Sequence, residues 1–241
     1  MISFAKDSRF IFDLGMNNGD DTAFYLARGY NVVALDANPA LCKQAERRFQ
    51  DAIDDDRLTI RNVAISDKSG EATFHINLDN DHWSSLDAQW AQRDASRSKP
   101  ITVPCVTLSE LFEEFGVPHY LKIDVEGVDD RVLMQLSGSP LRPLFVSVED
   151  CRFGYRYMEI MASCGYNGFK LLDQSTVPQL TDAVTGHAFP RGASGPFGPD
   201  LPGEWLPHAA MVKVYSETVR DRDGNRIAPR TRWWDIHCTA L

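Results

Sequence analysis

Short apolar runs alternate with amphipathic stretches along most of the chain. Residues 10–14, 32–35, 58–65, 120–125, 144–148, 169–172 and 233–238 carry the apolar runs and read as strands. Between them, apolar side chains recur at helical spacing: Phe24, Leu26 and Ala27 after Asp20, and Leu41, Ala45 and Phe49 after Pro39. Residues 129–136 and 155–164 repeat that spacing, and Pro207 opens a further helix through Val219. Thr107 and Glu110 form a capping box for a helix that ends at Gly116 and Pro118. Strands alternating with helices of this length predict βαβ units and an α/β domain with a mostly parallel sheet. Residues 72–76 and 101–106 pair as an excursion off that sheet, after turn chemistry at 66–70.

One stretch breaks the alternation. Residues 185–207 hold Gly186, Pro190, Gly192, Gly195, Pro196, Gly198, Pro199, Pro202 and Gly203, with Phe189, Phe197 and Trp205 among them. Long loops in compact domains are often lids or binding loops. The aromatics give this one something to pack against, so residues 174–208 are expected to be a lid and substrate segment.

Composition narrows the class. The chain has 241 residues, enough for one sizeable α/β domain and short for two. The expected organisation is a single domain over 1–241, with a core at 8–172 and 231–239 and an excursion at 71–106. The formal net charge of −9 argues against a non-specific nucleic-acid or membrane-surface partner. The local cluster Arg220, Arg222, Arg226, Arg230 and Arg232 is interleaved with Asp221 and Asp223, as in a solvated mixed surface. Five scattered cysteines contain no C-x-x-C pair, which points to reduced thiols and a cytoplasmic setting. No apolar run approaches the ~20 residues a membrane span needs, and the first residues lack a signal-peptide pattern. Oligomeric state is not legible, although of the neighbours Trp233 and Trp234 one is expected to face the lid or a partner such as a second copy.

The strand at 10–14 ends in Gly15-Met16-Asn17-Asn18-Gly19, and a helix follows at Asp20. Strand, glycine turn and helix is how an open sheet holds a nucleotide-like ligand. The spacing fails the G-x-G-x-x-G fingerprint of dinucleotide folds. Asp20 and Asp21 suit a helix N-terminus but repel a phosphate. They do not repel S-adenosylmethionine, which has no phosphate and carries a sulfonium and an ammonium.

Acids recur at strand ends: Asp13, Asp36, Asp124 with Glu126, and Glu149 with Asp150. In an open α/β sheet these ends line the ligand crevice, which here would be negative. Asp36 lies about twenty residues beyond the glycine turn, where a carboxylate accepts ribose hydroxyls. In residues 121–127, Leu121, Ile123 and Val125 share one face, and Lys122, Asp124 and Glu126 share the other. Charged residues are out of place in a central parallel strand unless they pair or do chemistry. The six histidines show no metal-ligand spacing. His82 and His187 lie in excursions that reach toward the crevice.

The segments 12–19, 34–39, 62–67, 106–108 and 121–127 fall in an order that resembles the FkbM-type S-adenosylmethionine-dependent methyltransferases. The likeness covers roughly 10–150 and thins after Asp150, where acceptor recognition is expected. It implies a class I methyltransferase fold: a Rossmann-like, open, seven-stranded sheet with helices on both faces and its last strand, at 233–238, antiparallel. It implies O-methylation of a hydroxyl on a small molecule or glycan (a sugar, polyketide or other secondary metabolite). Position 36 is more often Glu in relatives, so a shorter arm must reach the ribose here. The cofactor set expected on this basis is Asp13, Gly15, Asn17, Gly19, Asp20, Thr22, Asp36, Ala64, Ser85 and Asp124. The catalytic set is Asp124, with Lys122 orienting it, and Glu149. A carboxylate acts as base, or Asp124, Glu149 and Asp150 hold a magnesium ion that lowers the hydroxyl pKa. His82, Trp83, His187, Phe197 and Trp205 are expected at the acceptor. The competing readings are an NAD(P)-dependent oxidoreductase, which shares the fold, and a cofactor-binding interaction module without turnover.

Overall fold

The computed structural model describes residues 2–241. Along the chain come β1 (Ser3–Ala5), β2 (Phe10–Leu14), α1 (Asp20–Ala27), β3 (Asn31–Leu35), α2 (Pro39–Arg48), α3 (Gln50–Asp54) and β4 (Leu58–Arg61). Then follow β5 (Ala64–Ile65), β6 (Gly70–Asn77), α4 (Ala88–Ala91), β7 (Ser98–Val106), α5 (Leu108–Phe115), β8 (Tyr120–Ile123) and α6 (Asp129–Gln135). The remainder is β9 (Leu141–Pro143), β10 (Phe145–Glu149), α7 (Gly154–Ser163), β11 (Gly168–Asp173), α8 (His208–Thr218) and β12 (Trp234–Thr239). No helix among the described residues is long and apolar enough to cross a membrane.

Seven strands form one sheet in the order β11-β12-β10-β8-β2-β3-β4. All pairings are parallel except those of β12, which runs antiparallel to both β10 and β11. The strand order reverses between β2 and β8, so the crevice at their carboxyl ends is where such a sheet takes a ligand. Local signals set the helices as expected. Thr107 accepts from the Glu110 amide at 3.2 Å while Glu110 accepts from the Thr107 amide at 2.7 Å, and Asn38 caps α2 ahead of Pro39.

The strand expected over 58–65 is two strands. β4 ends at Arg61, and β5 leaves the main sheet to pair with Cys105 and Val106 of β7 in a three-stranded sheet with β6. The alternation slips by one residue between Ile60 and Val63, where the chain leaves the main sheet, and period two does not say which sheet a strand joins. The pairing of β1 with β9 was not foreseen.

The two sheet faces differ. One face (Phe12, Leu14, Leu121, Ile123, Val146, Val148, Ile236) packs on Leu111, Leu133, Tyr157, Met161 and Tyr215 of α5–α8. The other carries Asp13, Lys122, Ser147, Glu149, Asp235 and His237 at the alternate positions of the same strands. Toward the amino ends of the strands this face is apolar, with Ile11, Tyr120 and Phe145 packed on Phe24 and Tyr25 of α1. Phe189, Ala193, Phe197 and Leu201 complete that cluster. The glycine- and proline-rich segment is thus largely a covering layer over the sheet, and only Arg191, Gly192 and Ser194 of 185–207 border the cavity described next.

Candidate functional site

A cavity of about 680 Å³ opens at the carboxyl edge of the sheet, over β2, β3, β8, β10 and β12. That is within the range of small-ligand sites. Gly15 sets its first wall. Its φ is +86°, and a Cβ there would lie 1.8 Å from the Asp124 carbonyl oxygen, so only glycine lets the turn pass the end of β8. Beside the turn, the Asp36 carboxylate accepts the amides of Asn17 at 2.8 Å and Asn38 at 2.7 Å. Burial pushes its carboxyl up to about 6, against the pull of those two amides. Ala37, Leu41, Val63, Ala64 and Phe74 form an apolar slot next to it.

Behind this wall lies a buried charge hub. Lys122 is 3% exposed, and its ammonium reaches Asp13 at 3.2 Å, Asp124 at 3.4 Å, Asp21 at 3.5 Å and the Gly15 carbonyl at 3.1 Å. Those acids hold the ammonium well above its ordinary pKa in spite of its burial. Thr22 donates to Asp13 at 2.6 Å, and Asp21 accepts the Ser194 amide at 2.7 Å. Lys122 therefore ties the glycine turn, α1 and β8 together.

The cavity floor is acidic: Asp124, Glu126, Glu149 and Asp235 all line it. Glu126 has a left-handed φ of 56°, rare for a non-glycine residue. One of its oxygens accepts from Trp90 Nε1 and from Arg93, each at 2.8 Å. Burial nonetheless pushes its carboxyl up to about 8. Burial and the neighbouring acids, Glu126 first, hold Glu149 well above the usual carboxylate range. Asp235 is raised in the same way by burial and then by Asp124.

The excursion supplies the facing wall. Arg93 stacks over Trp83 and Trp90, 4.6 and 4.4 Å from the ring centroids. Ser85 donates to the Glu126 carbonyl at 2.6 Å, and Arg152 bridges Asp87 and the Gly127 carbonyl at 2.9 and 2.8 Å. Residues 81–93 are thereby pinned over the 124–127 turn.

Of the site residues expected from sequence, Gly15, Asn17, Asp36, Ala64, Asp124, Glu149, His82 and Trp83 border the cavity. Asp13, Thr22, Lys122 and Ser85 stand one layer behind it. Several do not reach it. Asp20 turns outward to Arg48 at 2.8 Å, and Gly19 backs onto the Phe49 ring. Phe197, 4% exposed, stacks on Tyr120 with centroids 4.2 Å apart in the covering layer. His187 packs on Phe24 and Phe189, and Trp205 on Phe145 and Lys170. None of these three aromatic side chains borders the cavity. Trp233 borders the cavity while Trp234 is buried in the core, because adjacent strand positions face opposite ways.

Magnesium on Asp124, Glu149 and Asp150 does not fit this geometry. Asp150 points away from Glu149, where Arg220 meets it at 3.1 Å and the Tyr215 hydroxyl donates to it. The donors that do converge are Glu126, Glu149 and Cys151, all within 4.8 Å. A thiol is a poor magnesium ligand, and Glu126 is already engaged by Arg93 and Trp90.

Sequence reasoning missed Asp235, Arg93, Arg191 and Arg230 at the cavity, and left Glu126 out of the site. Glu126 had a signal in the charged face of 121–127. Asp235 had one in the antiparallel last strand, whose first residues lie at the carboxyl edge.

The family model described as methyltransferase FkbM domain matches residues 13–167. Similar solved structures include methyltransferase FkbM from Methylobacillus flagellatus KT, at 12% identity and TM-score 0.43, over 69% of this chain and 40% of that one. The chain thus spans 40% of that relative's length. Precorrin-6y C5,15-methyltransferase from Geobacter metallireducens GS-15 aligns at 9% identity and TM-score 0.43, over 98% of this chain and 82% of that one. Geranyl diphosphate C-methyltransferase from Streptomyces coelicolor A3(2), solved with Mg2+, geranyl diphosphate and S-adenosyl-L-homocysteine, aligns at 12% identity and TM-score 0.43, over 99% and 74%. No curated protein matches the chain.

Proposed function

The chain belongs to the FkbM methyltransferase family, and we propose that it transfers a methyl group from S-adenosylmethionine to a hydroxyl of a small molecule or glycan. The observation that carries this reading is the division of one cavity into two chemistries. At one end Asp36 sits beside an apolar slot, which suits a ribose and an adenine. At the other lies a floor of Asp124, Glu126, Glu149 and Asp235, which suits a sulfonium and a proton-accepting step.

Bound there, S-adenosylmethionine would supply a methyl on a positively charged sulfur: the acceptor oxygen would bond to that methyl as the methyl–sulfur bond broke, with S-adenosylhomocysteine leaving. Asp36 accepts the ribose hydroxyls through the lone pairs its two backbone amides leave free. Asp124, with Lys122 behind it, faces the cation. Glu149 receives the hydroxyl proton. Burial and the neighbouring acids raise its carboxyl, so its ionised form is a stronger base than an ordinary carboxylate, and the positive charge of the bound cofactor would favour that form. Lys122 is a positioning residue that acts through Asp124 and the Gly15 turn. Holding oxygen, methyl and sulfur in line supplies much of the rate.

Calorimetric titration with S-adenosylmethionine and, separately, NAD tests the cofactor. Asp36→Ala removes two charged hydrogen bonds, about 3 kcal/mol together, or roughly a 100-fold loss of affinity. Binding of NAD in place of S-adenosylmethionine, or no effect of Asp36→Ala, would overturn the reading.

A further inference from the structure

Asp235 is 5% exposed, borders the cavity, and has no hydrogen bond or ion pair to its carboxylate among the described residues. Every other acid of the floor has or shares a partner: Asp124 has Lys122, Glu126 has Arg93, and Glu149 has the Cys151 thiol at 3.6 Å. A carboxylate this buried is costly to ionise without a cation, and its side chain lines the cavity, so a ligand cation placed there would recover the charged form. Lys122 is already divided among Asp13, Asp21 and Asp124. Of the three arginines that line the cavity, Arg93 is paired with Glu126 and Arg230 with Asp94 at 3.3 Å, and Arg191 makes no ion pair with Asp235.

Position separates Asp235 from the cofactor end. Strands in a sheet lie about 4.8 Å apart, so β12 is roughly 14 Å across the sheet from the Gly15 turn on β2 and about 10 Å from β8, which leads to Asp124. The sulfonium expected near Asp124 leaves Asp235 uncompensated. Asp235 is the direct cross-strand partner of Glu149 in the β10–β12 register, on the same face. Side chains so paired have Cβ atoms about 5 Å apart.

We infer that Asp235 is the counter-ion for a protonated amine on the acceptor, so that the substrate is an amino alcohol whose ammonium sits on Asp235 while its hydroxyl meets Glu149. The spacing of the two carboxylates places amine and hydroxyl on adjacent or next-adjacent carbons. The assignment rests on the methyl-transfer reading of the cavity and narrows its acceptor class. The ammonium also relieves the repulsion between Asp235 and the neighbouring Asp124.

Ligand-observed NMR on protein saturated with S-adenosylhomocysteine tests this with matched pairs: 2-aminocyclohexanol against 1,2-cyclohexanediol, and glucosamine against glucose. The amine of each pair is expected to bind at least tenfold tighter. Asp235→Asn should abolish that preference and Asp235→Glu should keep it, both with S-adenosylhomocysteine affinity within about twofold of the parent. Equal binding, no binding by either member, or a preference that survives Asp235→Asn would overturn the inference. Displacement of the amine by Mg2+ or Mn2+ bound at Asp235 would overturn it in favour of a metal. Failure of S-adenosylhomocysteine itself to bind would count against the methyl-transfer reading, and the same pairs run on unloaded protein would then judge Asp235 separately.

Discussion

Replacing Lys122 by Met probes the hub beneath the cavity. The methionine stem fills most of the same space but leaves Asp13, Asp21 and Asp124 without the ammonium now 3.2–3.5 Å away. Breaking a buried pair by removing one partner costs about 3–5 kcal/mol, because an uncompensated charge stays behind. For a domain of this size that corresponds to a fall in melting temperature of roughly 10 °C at pH 8. The deficit is expected to depend on pH. With Lys122 present, burial already pushes Asp21 up to about 6 from an ordinary 3.8. A carboxyl raised on folding binds its proton more tightly in the folded state, so folding gains stability as pH falls through its folded pKa. Without the ammonium that pKa rises further, Asp21 is neutral by pH 5, and part of the penalty disappears. Thermal melts followed by circular dichroism at pH 8 and pH 5 measure both quantities. A drop of less than about 3 °C at pH 8 would refute the hub. Equal drops at the two pH values would refute its electrostatic origin. Adding Asp21→Asn to Lys122→Met should restore part of the stability, since the amide oxygen still accepts from Ser194.

Three further outcomes are expected. Phe197→Ala should cost about 3–5 kcal/mol of stability while S-adenosylmethionine affinity stays within about twofold by calorimetry, as befits a residue stacked on Tyr120 outside the cavity. Arg93→Ala removes the cation facing Glu126 and the stack on Trp83 and Trp90, so amide exchange over 81–97 should accelerate at least tenfold with the rest of the β6–β7 hairpin unchanged. In the parent protein, Asp36 and Asp129 are pushed to about 6 and Glu126 to about 8 by burial. The folded state therefore keeps protons that the unfolded chain has released, and the melting temperature should rise as pH is lowered from 8 to about 5.5.

The glycine turn, Asp36 and the charged face of 121–127 were legible because each breaks a rule that ordinary strands and turns obey. A left-handed, closely approached position demands glycine, and charge in a central strand demands a partner. Asp235 escaped because acids were sought where strands end. In an antiparallel strand the carboxyl edge of the sheet holds the beginning, and β12 opens there with Trp234 and Asp235. Glu149 and Asp150 looked like one acidic pair in the sequence. Period two sends them to opposite sides, one to the cavity and the other to Arg220 and Tyr215. Glycines and prolines over 185–207 signalled irregular backbone correctly. They could not signal that Phe189 and Phe197 would meet Phe24, Tyr25 and Tyr120, since that contact depends on how much of the sheet face α1 leaves uncovered.

The character of that covering segment follows from what it covers. The face beneath it carries charged and polar side chains on β2, β8, β10, β11 and β12, and burying them is costly unless each finds a partner. A helix laid across this face would offer few backbone groups, because those in its interior bond to one another. Irregular backbone keeps its amides and carbonyls free. The Ser194 amide meets Asp21 at 2.7 Å, the Leu201 carbonyl accepts from the buried Lys170 ammonium at 2.7 Å, and the Ser194 carbonyl accepts from Gln174 at 3.2 Å. Glycine and proline thus favour a coil where a coil satisfies the polar sheet beneath it, while Phe189, Phe197 and Leu201 supply the apolar contacts that hold the coil down. Through Ser194 and Asp21 the same layer reaches Lys122, so the packing of the cover and the geometry of the cofactor turn are set by one set of buried charges.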